Sequence, residues 1–269
     1  MSESRVVIVT GATSGLGRAM ATALLDAGHS VVAFSRTAAT VEEFVSTGIG
    51  RWGPERVCGV VGSVLSAADS ERVVNATIER FGRIDGLINN AGIHQPTEAR
   101  PRFFEISEEQ WRAIVDTHLT GSFIMARAVV PHLIQRGWGR IVNHETSYAT
   151  MLRARSTPYG AAKAGLEAAT AGWAQELDGT GVTVNAILPG GVANVPRIDE
   201  HSFPDRANLV QPESMGPPIV WLMSEASDGL TGHRVTARLW KSDASGQENL
   251  AAAAVRVGWQ HTTADARGR

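Results

Sequence analysis

This sequence predicts a doubly wound α/β domain, Rossmann-like, with a parallel sheet of about seven strands and helices on both faces. Three observations carry that expectation. Short apolar runs rich in β-branched residues alternate with longer segments of helical period along 269 residues, a length that suits one sizeable core. The strand runs are almost continuously hydrophobic, as strands covered on both faces are. Gly28, Gly82, Gly137 and Gly181 fall where a helix must stop before a strand begins.

The first expected strand is Val6–Thr10 (VVIVT), followed by a helix over Leu16–Ala27 that Gly28 stops. Ser30–Phe34 and Val57–Val61 are the next strands, with no helix assigned between them. A helix over Ala67–Arg80 ends near Gly82 and leads to the strand Gly86–Asn89. Helices over Glu108–Asp116 and Gly121–Arg136 precede the strand Arg140–Asn143. The long helix Tyr159–Leu177 leads to Val182–Leu188, and a helix over Pro217–Ser224 precedes the strand Val235–Leu239. Residues 193–216 lack a clean period and mix proline, asparagine and charge, which marks a substrate loop rather than an ordinary connection. One domain is therefore expected over residues 1–241. An extension over 242–269 follows, alanine-rich and then polar, with an end expected to be mobile.

The net charge of -2 provides no basic footprint for nucleic acid and no polybasic patch for a membrane surface. No apolar run approaches the roughly 20 residues of a membrane span. MSESR passes straight into VVIVT without the regions of a signal peptide. Cys58 is the single cysteine, and in VCGVV it reads as a buried structural thiol, so a cytoplasmic, reduced compartment is expected. His144-Glu145 has no second histidine at helical spacing, so no metal site is expected.

Chemistry begins at Thr10-Gly11-Ala12-Thr13-Ser14-Gly15-Leu16-Gly17, between the first strand and the first helix. Glycines there let the backbone approach a pyrophosphate, and the helix N-terminus offers unpaired N–H groups and a positive dipole end. The spacing is G-x-x-x-G-x-G, and Gly11, Thr13, Ser14, Gly15, Leu16 and Gly17 are its candidate cofactor residues. Tyr159 and Lys163 stand four apart, on one helix face. A free tyrosine titrates near ~10, and a neighbouring ammonium lowers that towards a working range.

With Asn89-Asn90-Ala91-Gly92 at the end of the fourth strand and Pro189-Gly190 at the end of the sixth, these segments resemble the short-chain dehydrogenase/reductase family. The resemblance covers residues 5 to 241, including FGRIDGLINNAG and SEASDGLTG. It implies that Tyr159 exchanges a proton with a carbonyl or alcohol oxygen and that Lys163 also bonds the nicotinamide ribose. It implies that Asn89, Asn90, Ala91 and Gly92 brace the sheet and line the cofactor's ribose, and that Pro189, Gly190 and Val192 border the nicotinamide. The implied partner is a small-molecule alcohol or ketone. The implied assembly is a homo-oligomer, a dimer or a tetramer, with the Gly121–Arg136 and Tyr159–Leu177 helices at an interface.

Four positions depart from the family pattern. The usual serine, thirteen residues before the tyrosine, is Thr146, and Ser147 lies beside it. Adjacent residues leaving a strand tend to point oppositely, so one of the two should face the substrate. The usual asparagine is His118 in Asp116-Thr117-His118, where the family role rests on a main-chain carbonyl and a helix kink. Ser63-Val64 stands where an aspartate commonly orients the adenine, and Val235-Thr236-Ala237-Arg238 replaces a common Val-Asp-Gly-Gly. These departures leave room for a nucleotide-binding regulator without turnover, or for a lyase or epimerase that uses bound cofactor.

The second strand ends in Ser35-Arg36. An acidic side chain in the Ser35 position would bond the adenosine ribose of NAD and repel a 2′-phosphate. Serine removes that repulsion and Arg36 suits a phosphate, so NADP is expected over NAD. Arg153 and Arg155, in the loop before the catalytic helix, are candidates for an anionic substrate group, with solvated surface arginines as the plainer reading.

Overall fold

The computed structural model describes residues 3–93, 101–196, 198, 203 and 205–258. The chain runs through β1 (Val6–Thr10), α1 (Gly15–Asp26), β2 (Ser30–Ser35), α2 (Ala38–Trp52), β3 (Val57–Val61), α3 (Ala67–Phe81) and β4 (Gly86–Asn89). It continues through α4 (Glu108–Val115), α5 (Gly121–Arg136), β5 (Gly139–His144), α6 (Tyr148–Met151), α7 (Tyr159–Glu176) and β6 (Val182–Leu188). Then come α8 (Gly216–Leu222), β7 (His233–Thr236), α9 (Gly246–Ala253) and β8 (Ala254–Arg256). The strands form one sheet in the order β3-β2-β1-β4-β5-β6-β7-β8. Every neighbouring pair is parallel except β7 with β8. The strand order reverses between β1 and β4, and a crevice opens there at the carboxyl ends of the strands.

Both sheet faces are covered, which is why the central strands are largely apolar. Met20, Leu24 and Leu25 of α1 pack with Ile219 and Leu222 of α8 on one face. Val73 and Val74 of α3 pack with Met125, Val129 and Leu133 of α5 on the other. Each fully buried side chain of this size contributes about 1.5–3 kcal/mol relative to exposure.

Several elements differ from the sequence expectation, among them the short helix α6. Helix α2 fills the gap left between the second and third strands; its buried face is only Val41, Phe44 and Gly48, too sparse to stand out as a helical stripe. Gly48 permits the approach, since a Cβ there would sit 3.0 Å from Val57. The seventh strand starts earlier than expected and ends at Thr236, because the Arg238 amide turns to the Pro189 carbonyl at 3.1 Å and the chain leaves the ladder in a short 3₁₀ turn, Ala237–Leu239. The alanine-rich extension forms α9, started by a capping box between Ser245 and Glu248, and β8 then adds an eighth strand. Its polar end, expected to be mobile, lies outside the described residues. Finally, α4 and α5 are joined by a π turn over Asp116–Thr120. The resulting run, Glu108–Arg136, is long and apolar enough by composition to cross a membrane, yet its inner face packs on α3, β4 and β5 as a core helix does.

At the amino ends of the strands, opposite the crevice, Asp85 ties three elements together. Its fully buried carboxylate accepts from the Val6 amide at 2.8 Å and meets Arg83 and Arg136, each at 2.8 Å. Removing one partner of a buried ion pair typically costs about 3–5 kcal/mol, because the other charge is left uncompensated. Asp85→Ala is therefore expected to lower the unfolding free energy by about 3 kcal/mol or more in urea titrations, with cofactor affinity at the far end of the sheet unchanged in the folded variant.

Candidate active site

The crevice is a cavity of ≈ 450 Å³ running from the glycine turn to the start of α7. Its first wall is set by a clasp between β1 and β4. The Thr10 hydroxyl accepts from the amides of Asn90 and Ala91, both at 2.9 Å, and donates to the Ile88 carbonyl at 3.2 Å. Asn90 Nδ2 donates back to the carbonyls of Thr10 at 2.9 Å and Gly11 at 3.2 Å. Gly11 and Gly15 hold φ of 66° and 53°, a region that L side chains disfavour. A Cβ on Gly17 would lie 2.2 Å from the Gly11 carbonyl, so only glycine lets the helix close on the turn.

This end fits a dinucleotide's phosphates. Ser14 N-caps α1 without a side-chain hydrogen bond, so the first-turn amides remain available, and residues 13 to 17 all line the cavity. Asn90, Ala91 and Gly92 line it too, as do Ser35 and Arg36 at the end of β2. Thr13 Oγ1 lies 3.4 Å from Ser35 Oγ and 3.2 Å from Thr40 Oγ1, so three hydroxyls gather there. Arg36 is exposed and makes no ion pair with another described residue. Ser63 and Val64 also line the cavity, with Ser63 Oγ accepting from the Leu65 amide at 3.2 Å. Among the described lining residues the one carboxylic acid is Glu145, at the opposite end.

There β5 runs out into His144-Glu145-Thr146-Ser147. Thr146 lines the cavity, and its carbonyl accepts from Arg234 Nη2 at 2.6 Å. Ser147 turns away: it caps α6, its Oγ accepting from the Thr150 amide at 3.2 Å and lying 3.0 Å from Thr150 Oγ1. Of the two, Thr146 is the one that lines the cavity, together with Thr150 and Ser156. Tyr159 opens α7 and faces the same space. Lys163, one turn on, is buried behind it and donates to the His144 carbonyl; its Nζ is 6.0 Å from the Tyr159 ring centre.

His118 sits in the π turn, a feature common where helices carry function. Its ring meets Tyr159 edge-on at 5.1 Å, its Nε2 is 3.0 Å from the Ile93 carbonyl, and its own carbonyl accepts from Ser122 Oγ at 3.0 Å. A Cβ on Gly92 would lie 2.3 Å from the imidazole, so Gly92 makes room for it. Burial, reinforced by the Lys163 ammonium, pushes the His118 imidazole down to about 3. Burial also lowers Lys163, with Glu145 opposing it.

Four candidate residues sit elsewhere. Pro189 lines the cavity, but Gly190 (φ 86°) turns against the Thr236 and Arg238 side chains, and Val192 is exposed; Gly191 takes their place. Arg153 and Arg155 are exposed outside the lining. From the expected substrate loop, Ala193, Val195, Pro196 and Ile198 reach the cavity, and Arg206 braces them through Asn194 Oδ1 and the Val195 carbonyl, both at 2.8 Å. The sequence reading missed Glu145 as a site residue, although a charged residue directly prolonging an apolar strand was its signal. Cys58 is half-buried, and burial raises its thiol, which removes it as a nucleophile.

Comparison with known proteins agrees with this geometry. The model of the family described as short chain dehydrogenase matches residues 5–203. A subunit of a hydroxy(phenyl)methylsuccinyl-CoA dehydrogenase from Thauera aromatica is 33% identical, covering 86% of this chain and 93% of its own length. A 3-oxoacyl-acyl-carrier-protein reductase from Synechocystis is 34% identical over 85% of this chain and 93% of its own. A solved structure assigned to the short-chain alcohol dehydrogenases, from Sinorhizobium meliloti, superposes with a TM-score of 0.77 at 29% identity, covering 88% and 96% of the two chains. A Shigella flexneri structure complexed with NADP shares the fold, with a TM-score of 0.78 at 24% identity over 87% and 97%.

The depressed His118 imidazole has a consequence for acid stability. Its folded value, about 3, lies below the unfolded 6.5, so between those limits the unfolded chain binds a proton that the folded one does not. Stability contributed by neutral His118 is present above pH 6.5 and is lost as pH falls. His118→Asn is expected to flatten the decline of unfolding free energy between about pH 6 and 4, by up to about 1.4 kcal/mol per pH unit. In the wild type, the His118 ring resonances should show no titration between about pH 5 and 8.

Proposed function

Since the chain belongs to the short-chain dehydrogenase/reductase family, we propose that it is an NADP(H)-dependent oxidoreductase interconverting a secondary alcohol and a ketone. The observation that carries this reading is the convergence of Tyr159 and Thr146 on one cavity, with Lys163 behind the tyrosine. A nicotinamide dinucleotide bound along the glycine turn supplies or takes up the hydride.

Tyr159 gives its proton to the carbonyl oxygen in reduction and takes it back in oxidation, and the Lys163 ammonium stabilises the tyrosinate between the two. Thr146 Oγ1 donates to the same oxygen as charge develops there. His118, neutral in this setting, packs against Tyr159 and fixes its ring. The NADP preference rests on Ser35, Arg36 and the gathered hydroxyls of Thr13 and Thr40, with no carboxylate among the described lining residues at that end. Two relatives carry names of enzymes acting on acyl thioesters, so 3-oxoacyl and 3-hydroxyacyl thioesters are the first substrates to assay. Exposed Phe123 and Ile134 on α5 are in keeping with a homo-oligomer.

Tyr159→Phe is expected to lower kcat by about 10²–10⁴-fold with NADPH affinity nearly unchanged. Thr146→Ala should cost about 10²-fold in kcat, whereas Ser147→Ala should cost mainly about 1 kcal/mol of stability through the lost cap. Steady-state kinetics and thermal melts on the three variants decide it, and the reverse ranking would hand the role to Ser147.

For the cofactor, Arg36→Ala should weaken NADPH binding about 10-fold to 100-fold and leave NADH nearly unaffected, since a charge-assisted hydrogen bond contributes about 1.5–3 kcal/mol. Ser35→Asp should go further, adding repulsion against the phosphate and an acceptor for the ribose of NADH. Fluorescence titrations measure both. A wild type that binds NADH as tightly as NADPH would end the assignment.

A further inference from the structure

Glu145 is the buried acid that the reaction above does not use. Its amide donates to the Ile187 carbonyl at 2.7 Å, which prolongs the β5–β6 ladder and fixes its backbone at the sheet's carboxyl end. Its side chain is 1% exposed and lines the cavity, between the carbonyl that accepts from Lys163 and the threonine that faces the substrate. Neither carboxyl oxygen has a side-chain hydrogen-bond partner among the described residues, and the one backbone donor that acts on it is the Thr146 amide. An ionised carboxylate left that way is costly, whereas a protonated one is far less so.

The surroundings leave Lys163 as its counterpart. Glu167 of α7 repels a charge on Glu145, and the Arg234 guanidinium of β7 attracts one. Arg234, however, is engaged with Glu167 Oε1 at 3.2 Å and with the Thr146 carbonyl. His144 and His118 are both held neutral by burial and by Lys163. Resting on the oxidoreductase reading, we propose that Glu145 is a proton store for the site, exchanging its proton with Tyr159 through Lys163 and ionising when the cavity gains positive charge.

In the reducing direction the Tyr159 O–H bond breaks and its proton goes to the substrate oxygen. The tyrosinate takes a proton from Lys163 Nζ, and Lys163 takes the carboxyl proton of Glu145. No electrons move among the three groups. Glu145 is left as a carboxylate and regains a proton from solvent before the next turnover. Of the charges around the carboxyl, the Lys163 ammonium acts on it most strongly. Burial first, then Glu167, pushes the Glu145 carboxyl up to about 8, against the pull of Lys163, Arg234 and the Thr146 amide, so the store is full at neutral pH.

The test needs no substrate. NADP⁺ carries a positive nicotinamide and NADPH does not, so only NADP⁺ should displace the Glu145 proton. Measured by calorimetry from about pH 6 to 9, the affinity for NADP⁺ relative to NADPH should rise by up to about tenfold per pH unit, then level off above about pH 8, where Glu145 is already ionised. Taking the ratio cancels the ionisation of the 2′-phosphate, which the two cofactors share. In Glu145→Gln the ratio should be flat, and the protonated-carboxyl band lost on adding NADP⁺ in infrared difference spectra should vanish.

A ratio that still rises in Glu145→Gln, or is flat in the wild type, overturns the proposal and points to Lys163 as the titrating group in the first case. Should the glutamine variant fail to fold, Glu145→Asp must move the midpoint; an unmoved midpoint overturns it equally. If neither cofactor binds at any pH, the oxidoreductase reading falls and this inference with it. Equal, pH-independent binding of both removes the inference alone.

Discussion

Lys163 carries an ammonium into the protein interior at the end of β5, with the main-chain carbonyl of His144 as its acceptor. Burying a cation is costly unless its surroundings are arranged for it. Everything around it is arranged accordingly: the two nearby imidazoles, His118 and His144, stay neutral, and the one nearby acid not already paired is Glu145. The ammonium stands behind Tyr159, so the charge that burdens the fold lies where the proposed reaction would use it. Stability is spent where function needs a charge, as sites of perturbed ionisation commonly show.

The opposite end of the cavity works by the backbone alone. Thr10 and Asn90 lock β1 to β4 at the switch point, and the lock is what keeps the glycine turn open and its helix amides uncapped. One end therefore offers amides and a helix dipole to an anion, and the other offers a buried cation and hydroxyls to a reacting oxygen. A ligand that satisfies both must be long, with a phosphate portion far from its reactive end. A dinucleotide has that shape, which is why the two halves of the cavity make sense only together.

Much of this was legible in the sequence, for identifiable reasons. Strands covered on both faces leave uninterrupted β-branched runs, so the seven parallel ones were seen, and the glycine turn with Tyr159 and Lys163 announced the cavity. Helix α2 was missed because Val41, Phe44 and Gly48 are too few and too small to form a visible stripe. Strand β8 was missed because an alanine-rich tail has no period to read, and its place depends on the edge that β7 offers. Alternation could not place Thr146 and Ser147, because the chain leaves the extended state at His144; Ser147 caps α6, a helix of 4 residues that no periodicity reveals, and Thr146 lines the cavity. Whether Glu145 points inward is likewise a fact of burial, not of local pattern.

The tail also bears on the site. Glu167 Oε1 accepts from the Tyr148 hydroxyl at 2.7 Å, from the Gly258 amide at 3.0 Å and from Arg234 at 3.2 Å. Arg234 stacks on the Tyr148 ring, 3.9 Å from its centre, and reaches the Thr146 carbonyl with its other nitrogen. The backbone that aims Thr146 is therefore held by a strand, a helix and the C-terminal segment at once. Three donors from three parts of the chain thus share one buried carboxylate oxygen. The segment after β7 thereby joins the network behind Thr146 without lining the cavity.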